Sequence, residues 1–347
     1  MWCVYYIYYT VDLYSISIII FVLFTPLNQH KGVGKRKTNK HIMQVIEIEH
    51  GGFLWSLPYN DVLSKPFMDS ATGSSDEHEP HLTRFIREFL KEGDVAMDIG
   101  ACFGFHTLEM ARQVGDSGHV YAFEPQVDMH TLLTRNLKEN KLDNATVHNV
   151  ALGDTNMEVC MYNAYPDSET NYGDSFISWK YREDDAEHDK SEKQQISKGD
   201  HVLELNKNLA TCSRLDDFLG GEDGNGIPGR VKFIKIDVQG FERMVLEGGE
   251  KFLRKHRPFM VIEFEDQCMN FHGYGTKELL AFLKSMDYDV ILLDHPYPCD
   301  HLCIPHEHAG EIYKQFGDRI VPLEHDNPVN HNYQHGVRER LCLLDDE

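Results

Sequence analysis

Asp98 stands one residue before the end of the apolar run AMDI and is followed by two glycines four residues apart, Gly100 and Gly104. Glycine turns the backbone through conformations closed to other residues and lets a ligand lie against bare main chain. A helix beginning just beyond such a turn offers unpaired N–H groups. Glu124, about twenty residues past Gly104, ends a second apolar run, HVYAF, and precedes Pro125. A carboxylate at that spacing can accept hydrogen bonds from both ribose hydroxyls of a nucleoside.

A nicotinamide site calls for G-x-G-x-x-G, which this turn lacks. An aspartate two residues before the first glycine suits a cofactor whose amino-acid end carries an ammonium group, and that favours S-adenosylmethionine. Methyl transfer from a sulfonium is an in-line displacement. It needs alignment of nucleophile, carbon and sulfur, and a base for the acceptor's proton. Asp237, at the end of VKFIKID, is the leading base or acceptor-orienting residue. Glu242 and Glu263 are its possible helpers, and His106, at the start of the cofactor helix, is a further candidate. Each has a plainer reading: Asp237 caps the next helix, Glu242 complements a helix dipole, and His106 packs or caps. Converging carboxylates could bind a divalent cation through oxygen, but no metal is expected.

The elements that must position these residues alternate. Strands are expected at Val95–Ile99, His119–Phe123, Ala145–Val150, Val231–Asp237, Phe259–Phe264 and Asp289–Leu293, with another at Met157–Asn163. Helices are expected at Gly104–Val114, Val127–Asn140, Phe241–Lys255 and Lys277–Met286. This predicts an α/β fold: a doubly wound, mostly parallel sheet with helices on both faces, binding its ligand at the carboxyl ends of the strands. Upstream, VIEIEHGGFLWSLPYND reads as a hairpin turning at Gly51 and Gly52, residues 69–80 as a loop, and HLTRFIREFL as an amphipathic helix.

The chain resembles the FkbM-type methyltransferases of the class I, Rossmann-like fold. The resemblance rests on GDVAMDIGACFGFHTL, HVYAFEPQ, NVALGD, NYGDSF, RLDDF, VKFIKIDVQGFERMVLEGG and RPFMVIEFE, in order from about Gly93 to Glu265. Cys102 stands where that family usually has Asn, and Gln239 where Glu is commonest. The resemblance implies methyl transfer to an oxygen, typically a hydroxyl of a sugar, glycan or small metabolite. Carried over by position, Asp98, Gly100, Ala101 and Gly104 cradle the methionine part, and Glu124, followed by Pro125, holds the ribose. Asn149 to Ala151 border the adenine, and Asp237 points toward the transferring methyl. A catalytically silent cofactor-binding or interaction protein is the competing class, and a methyltransferase of a protein or lipid-linked acceptor is a third.

Composition narrows the partners. Hydrophobic residues are 41% and charged residues 26% of the 347, ordinary for a folded chain. Of the net charge of -22, almost none of the acidity lies in residues 1–40, leaving 29 basic against 55 acidic residues beyond them. Such a surface repels phosphate backbones, so nucleic acid is not the expected partner. The eight cysteines are scattered and outline no disulfide framework. Cys299, Cys303, His306 and His308 have zinc-type side chains at a spacing that fits no standard finger, against a plainer reading in which LCIP is a short strand pairing with Asp289–Leu293.

The expected organisation is a membrane anchor at 1–27, a basic linker at 28–41, an N-terminal extension at 42–92, the methyltransferase domain at 93–308 with an insertion at 164–200, and a C-terminal extension at 309–347. Membrane association would run through residues 2–27, with the basic flank holding the catalytic domain on the cytoplasmic side; without an anchor the protein would be cytoplasmic. Nothing in the sequence sets an oligomeric state.

Overall fold

The structure, a computed structural model, describes residues 43–59, 61–71, 78–164, 172–178, 195–198, 201–218, 229–294, 299–322 and 337–343. Strands β1 (Val45–His50) and β2 (Phe53–Pro58) form an antiparallel hairpin turning at Gly51 and Gly52, and two helices follow, α1 (Lys65–Ala71) and α2 (Pro80–Phe89). The loop expected from residue 69 therefore begins as the last turn of α1.

The alternating part then runs β3 (Val95–Ile99), α3 (Phe105–Val114), β4 (His119–Phe123), α4 (Val127–Glu139) and β5 (Ala145–His148). Next come β6 (Ala151–Leu152), β7 (Met157–Ala164), β8 (Phe176–Ser178), β9 (Gln195–Lys198), β10 (His201–Ser213) and α5 (Leu215–Phe218). The chain returns through β11 (Val231–Ile236), α6 (Glu242–Gly248), α7 (Glu250–His256), β12 (Phe259–Glu263), α8 (Asp266–Phe271), α9 (Thr276–Ser285) and β13 (Tyr288–Leu293). It closes with β14 (Asp300–Pro305), α10 (Ala309–Phe316), β15 (Ile320–Pro322) and β16 (Glu339–Leu341).

The main sheet has nine strands in the order β15-β16-β13-β14-β12-β11-β3-β4-β5. The run from β12 to β5 is parallel, while β14 lies antiparallel between β12 and β13. LCIP is thus a central strand and not an edge addition. A second sheet, β6-β10-β7-β8, carries the segments after β5, with β9 paired to β10.

Both faces of the main sheet are buried, and the two-residue period of the strands divides the core. Ala96, Val120, Phe233 and Val261 pack under β2, α2, α3 and α4. Met97, Phe123, Ile234 and Ile262 pack on the other side under α6, α7, α9 and the second sheet.

Three expectations change in detail. The helix expected over Phe241–Lys255 divides at Gly249, which ends α6 and precedes α7; Gly248 beside it lies so close to the Gly153 carbonyl that a Cβ would sit 1.8 Å from its oxygen. Strand Ala145–Val150 stops at His148, and Ala151–Leu152 join the second sheet. The thirteen-residue β10 was not anticipated; it hydrogen-bonds along the whole of β7. Among the described residues no helix is long and apolar enough to cross a membrane. Residues 1–27 and most of the 164–200 insertion, including Trp179, lie outside the described residues.

Candidate active site

A cleft of about 230 Å³ opens at the carboxyl ends of β3, β4, β11 and β12. Asp98, Gly100, Ala101, His106, Glu124, Pro125, Ala151, Asp237 and Glu263 all line it.

The turn after β3 is held between its neighbours. Gly100 and Ala101 both donate backbone hydrogen bonds to the Phe123 carbonyl, at 3.0 and 3.1 Å, and Asp237 N–H donates to the Ile99 carbonyl at 3.0 Å. Gly100 has φ +84, and a Cβ there would lie 1.8 Å from the Asp237 carbonyl oxygen, so only glycine lets the β3 and β11 ends meet. Asp98, buried under the turn, accepts the Thr107 hydroxyl on Oδ2 at 2.6 Å, while its Oδ1 is buried without a hydrogen-bond partner. Burial pushes this carboxyl up, with the Lys235 charge acting in the opposite direction.

Glu124 accepts the backbone N–H of Cys102 on Oε2 at 2.8 Å and of Gln126 on Oε1 at 2.7 Å. Each oxygen keeps a second lone pair. Burial pushes the Glu124 carboxyl up to about 7 against those two hydrogen bonds. Cys102 has φ +48, a left-handed conformation that asparagine adopts more readily than most residues. Its thiol is held protonated by burial and by the nearby Glu124.

At the end of β11, Lys235 is buried and stands in register with Asp98 across β11 and β3. Its Nζ lies 3.1 Å from Asp237 Oδ2. Burial works against its charge, but the Asp237, Asp98 and Glu79 carboxylates more than offset that and hold it protonated. The other Asp237 oxygen accepts Gln239 Nε2 at 3.1 Å, and the same amide nitrogen donates to Glu263 Oε2 at 3.1 Å. Burial alone would raise the Asp237 carboxyl; the Lys235 charge, with hydrogen bonds from Lys235, Glu263 and Gln239, holds it below its ordinary value. Glu263 is driven well up by burial and by Asp237, so it carries the proton of the pair. Burial, followed by the Lys235 charge, keeps His106 neutral.

Three expected site residues stand elsewhere. Gly104 starts α3, but its open side faces Leu133 of α4, where a Cβ would lie 2.3 Å from Cδ1; it is a packing position and not part of the cleft wall. Asn149 is set back from the cleft, and its Nδ2 donates to the carbonyls of Glu124 and Pro125 at 2.8 and 3.0 Å, fixing the loop that carries Glu124. Glu242 is also outside the cleft. Its Oε1 accepts the backbone N–H groups of Val238 and Gly240 at 3.1 and 3.0 Å, and Oε2 accepts the Tyr274 hydroxyl at 3.2 Å. It is a strut for the loop after Asp237, not a group able to meet substrate. Glu265 stands at the N-cap position of α8 without a capping hydrogen bond from its side chain, and its Oε2 accepts the Cys268 thiol at 2.6 Å.

The zinc-type side chains scatter. Cys303 is buried in the second core, Cys299 lies against Glu263, His306 is exposed beside Asp289, and His308 pairs with Glu311. The described cysteines are free thiols.

Other cleft residues went unread. Lys235 could have been found, since the strand period aligns it with Phe233 and Asp237. Leu63, His78 and Glu79 come from the N-terminal extension, and Tyr172 from the segment after β7. Asp61 ties these together: it caps Leu63 N–H through Oδ1 at 3.0 Å and accepts Tyr172 N–H through Oδ2 at 3.0 Å.

Comparison with known proteins places this architecture. A model of the methyltransferase FkbM domain matches residues 98–290, more than half of the chain. The chain belongs to the FkbM methyltransferase family. Its fold is the class I methyltransferase-like α/β fold, and S-adenosylmethionine is the cofactor that goes with it. A model of protein-L-isoaspartate(D-aspartate) O-methyltransferase matches residues 24–165. A protein-L-isoaspartate O-methyltransferase of Methanothrix thermoacetophila is 32% identical over 70 residues, 20% of this chain and 33% of that protein. The chain thus spans about a third of the length of the curated relative it matches.

Among solved structures, a methyltransferase FkbM from Methylobacillus flagellatus is 16% identical with a TM-score of 0.36, covering 60% of this chain and 43% of its own. A putative methyltransferase from Streptococcus mutans in complex with SAH is 10% identical with a TM-score of 0.35, covering 66% and 98%.

The residues of the cleft fit the cofactor. The unpartnered Asp98 Oδ1 can take an ammonium, the free lone pairs of Glu124 can take ribose hydroxyls, and the Gly100–Ala101 backbone leaves room between them.

Proposed function

We propose that this protein transfers a methyl group from S-adenosylmethionine to a hydroxyl oxygen of a sugar, glycan or small metabolite. The observation that carries this reading is the joining, in one cleft, of an unsatisfied Asp98 oxygen, the Glu124 carboxylate and the Lys235–Asp237 pair. When bound, the cofactor supplies an electrophilic methyl carbon on a sulfonium. Asp98 takes its ammonium and Glu124 its ribose, with Ala101, Pro125 and Ala151 as walls. Asp237, fixed by Lys235 and Gln239, accepts a hydrogen bond from a neighbouring hydroxyl of the acceptor and so aims the reacting oxygen; Glu263, protonated beside it, keeps the two carboxyls from repelling.

Charge supports a neutral acceptor. Asp237, Asp98 and Glu79 surround Lys235, the buried cation that the described residues bring to this side. A protein acceptor is the second reading, favoured by the isoaspartyl methyltransferase match. An isoaspartyl peptide presents a carboxylate, which would meet Asp237 and Glu79 across the cleft, so the hydroxyl reading fits better.

Calorimetric titration with S-adenosylmethionine, followed by labelled methyl transfer to a panel of methyl glycosides and to an isoaspartyl peptide, tests the reading. Asp237→Asn should keep the cofactor Kd within about threefold and slow turnover by about a hundredfold. Absence of binding at millimolar cofactor would refute the reading. Labelling of the peptide alone would favour the second one, and binding without transfer to any acceptor would favour a silent cofactor-binding module. If residues 1–27 anchor the chain, detergent will be needed to extract the full chain but not a chain beginning at Met43.

A further inference from the structure

We propose that Glu79, supplied by the N-terminal extension and not by the methyltransferase core, is the base that takes the proton from the acceptor hydroxyl, with His106 beside it. The assignment rests on the methyl-transfer reading above and adds a catalytic residue to it.

The first ground is conformational. Glu79 immediately precedes α2 and sits at φ +43, ψ +57, a left-handed conformation that costs a non-glycine residue of order 1 kcal/mol or more. A glutamate before a helix could recover part of that by bonding the first-turn N–H groups, yet its side chain makes no capping hydrogen bond. The carboxylate is turned into the cleft. Strain of this kind concentrates at functional sites. Of the six described non-glycine residues at positive φ, three, Glu79, Cys102 and Gln239, line this cleft.

The second ground is what surrounds it. Glu79 Oε2 lies 3.3 Å from His106 Nε2, a buried ring nitrogen that makes no hydrogen bond. His78 from its own segment is 3.7 Å away, Lys235 and Asp237 face it from the end of β11, and Asp300 from β14. Burial, opposed by His78 and reinforced by Asp300, raises the Glu79 carboxyl above its ordinary value. It is therefore a stronger base than Asp237, each of whose oxygens already accepts one hydrogen bond and whose carboxyl is held low.

The third ground is rigidity. The extension is clamped onto the start of α3 by Trp55, Phe67, Phe103 and Phe105, and His78 packs edge-on to Phe105 with ring centroids 5.2 Å apart. In the transfer, the acceptor's O–H bond breaks, its proton passes to a Glu79 carboxylate oxygen, and its electron pair forms the new O–C bond. The C–S pair leaves with sulfur as a thioether. The Glu79 proton then returns to solvent by way of the partly exposed side chain.

Glu79→Gln and Glu79→Gly test this. Both should bind S-adenosylmethionine within about threefold of wild type and transfer methyl groups to methyl glycosides about a hundredfold more slowly, within the range usual for a general base. The wild-type rate should rise with pH through the raised Glu79 value, and this limb should be missing from the residual activity. Glu79→Gly, which relieves the left-handed strain, should keep or raise Tm while turnover falls; a residue serving only structure would lower both. Independently of any acceptor, the His106 ring signal in an NMR titration, assigned with His106→Gln, should show an inflection from Glu79 that Glu79→Gln removes. Wild-type turnover in either variant, or an unchanged His106 titration in Glu79→Gln, would overturn the proposal. If wild type methylates none of the glycosides, the hydroxyl reading fails, and the His106 titration still decides whether Glu79 and His106 act as a pair.

Discussion

Glu242 offers a clean separation of strut from catalyst, and the perturbation is Glu242→Gln. The wild-type carboxyl is pushed up to about 7 by burial, against hydrogen bonds from its own backbone, Gly240 and Val238. The ordinary glutamate value is 4.5. Because the folded value is the higher one, the contribution to stability is fully present below the unfolded value and is lost as pH rises through the folded one. The gap of about 2.5 units corresponds to about 3 kcal/mol at alkaline pH, and about 1 kcal/mol of it has already gone at pH 5. A glutamine keeps the geometry: its carbonyl oxygen can accept both the Val238 and Gly240 N–H groups, and its amide can donate to the Tyr274 oxygen. Urea unfolding at pH 5 and pH 8 should therefore show wild type losing about 2–2.5 kcal/mol more than Glu242→Gln over that interval. Turnover should change by only a few-fold. Parallel stability profiles would refute the buried, proton-linked strut; a hundredfold fall in turnover with unchanged stability would restore Glu242 to the chemistry.

Two further outcomes follow from the cofactor side. Ribose hydroxyls donating to Glu124 favour its ionised form, so S-adenosylhomocysteine should bind up to about tenfold more tightly at pH 8 than at pH 6, and Glu124→Gln should flatten that dependence in calorimetric titrations; a pH-independent wild-type Kd contradicts the assignment. Gly100→Ala should cost at least about 2–3 kcal/mol in urea unfolding and abolish cofactor binding, since the added carbon meets the Asp237 carbonyl at a positive φ; a stable, binding variant would mean that the β3 and β11 ends are further apart than described.

The parallel core was legible because its strands are buried on both faces and so read as apolar runs such as AMDI and FMVIE, each carrying an acid at or next to its carboxyl end. Those acids, Asp98, Glu124, Asp237 and Glu263, do converge on one cleft. What the runs did not reveal was pairing between segments far apart in sequence. β10 is mostly polar, and it is a strand because β7 offers it a full ladder of backbone partners. The antiparallel β14 could be read as a strand, but its insertion between β12 and β13 depends on tertiary context.

The site was legible only where chemistry and strand period coincide. Asp98 and Lys235 occupy the same register level on adjacent strands, and Glu263 shares their face, so a helix crossing that face must bring its own terminus over them. That helix is α2, which belongs to the extension and begins at Pro80. Glu79 then reaches the strand ends because of where α2 starts, and no local motif announces it: in the sequence it is one acid among DEHEP in a polar loop. Glu242 fails in the opposite sense. It stands five residues past Asp237 in a motif shared with the family, which invites a catalytic reading, yet the tight Val238–Gly240 turn swings it beneath the loop, where Oε1 accepts two backbone N–H groups and Oε2 the Tyr274 hydroxyl. Glu242 has both lone pairs of one oxygen on the main chain and its other oxygen on Tyr274, and it stands outside the cleft, whereas Glu124 accepts one N–H on each oxygen, keeps a second lone pair on both and lines the cleft. That accounting of lone pairs, more than position in a motif, is what separates Glu79 and Asp98 from Glu242.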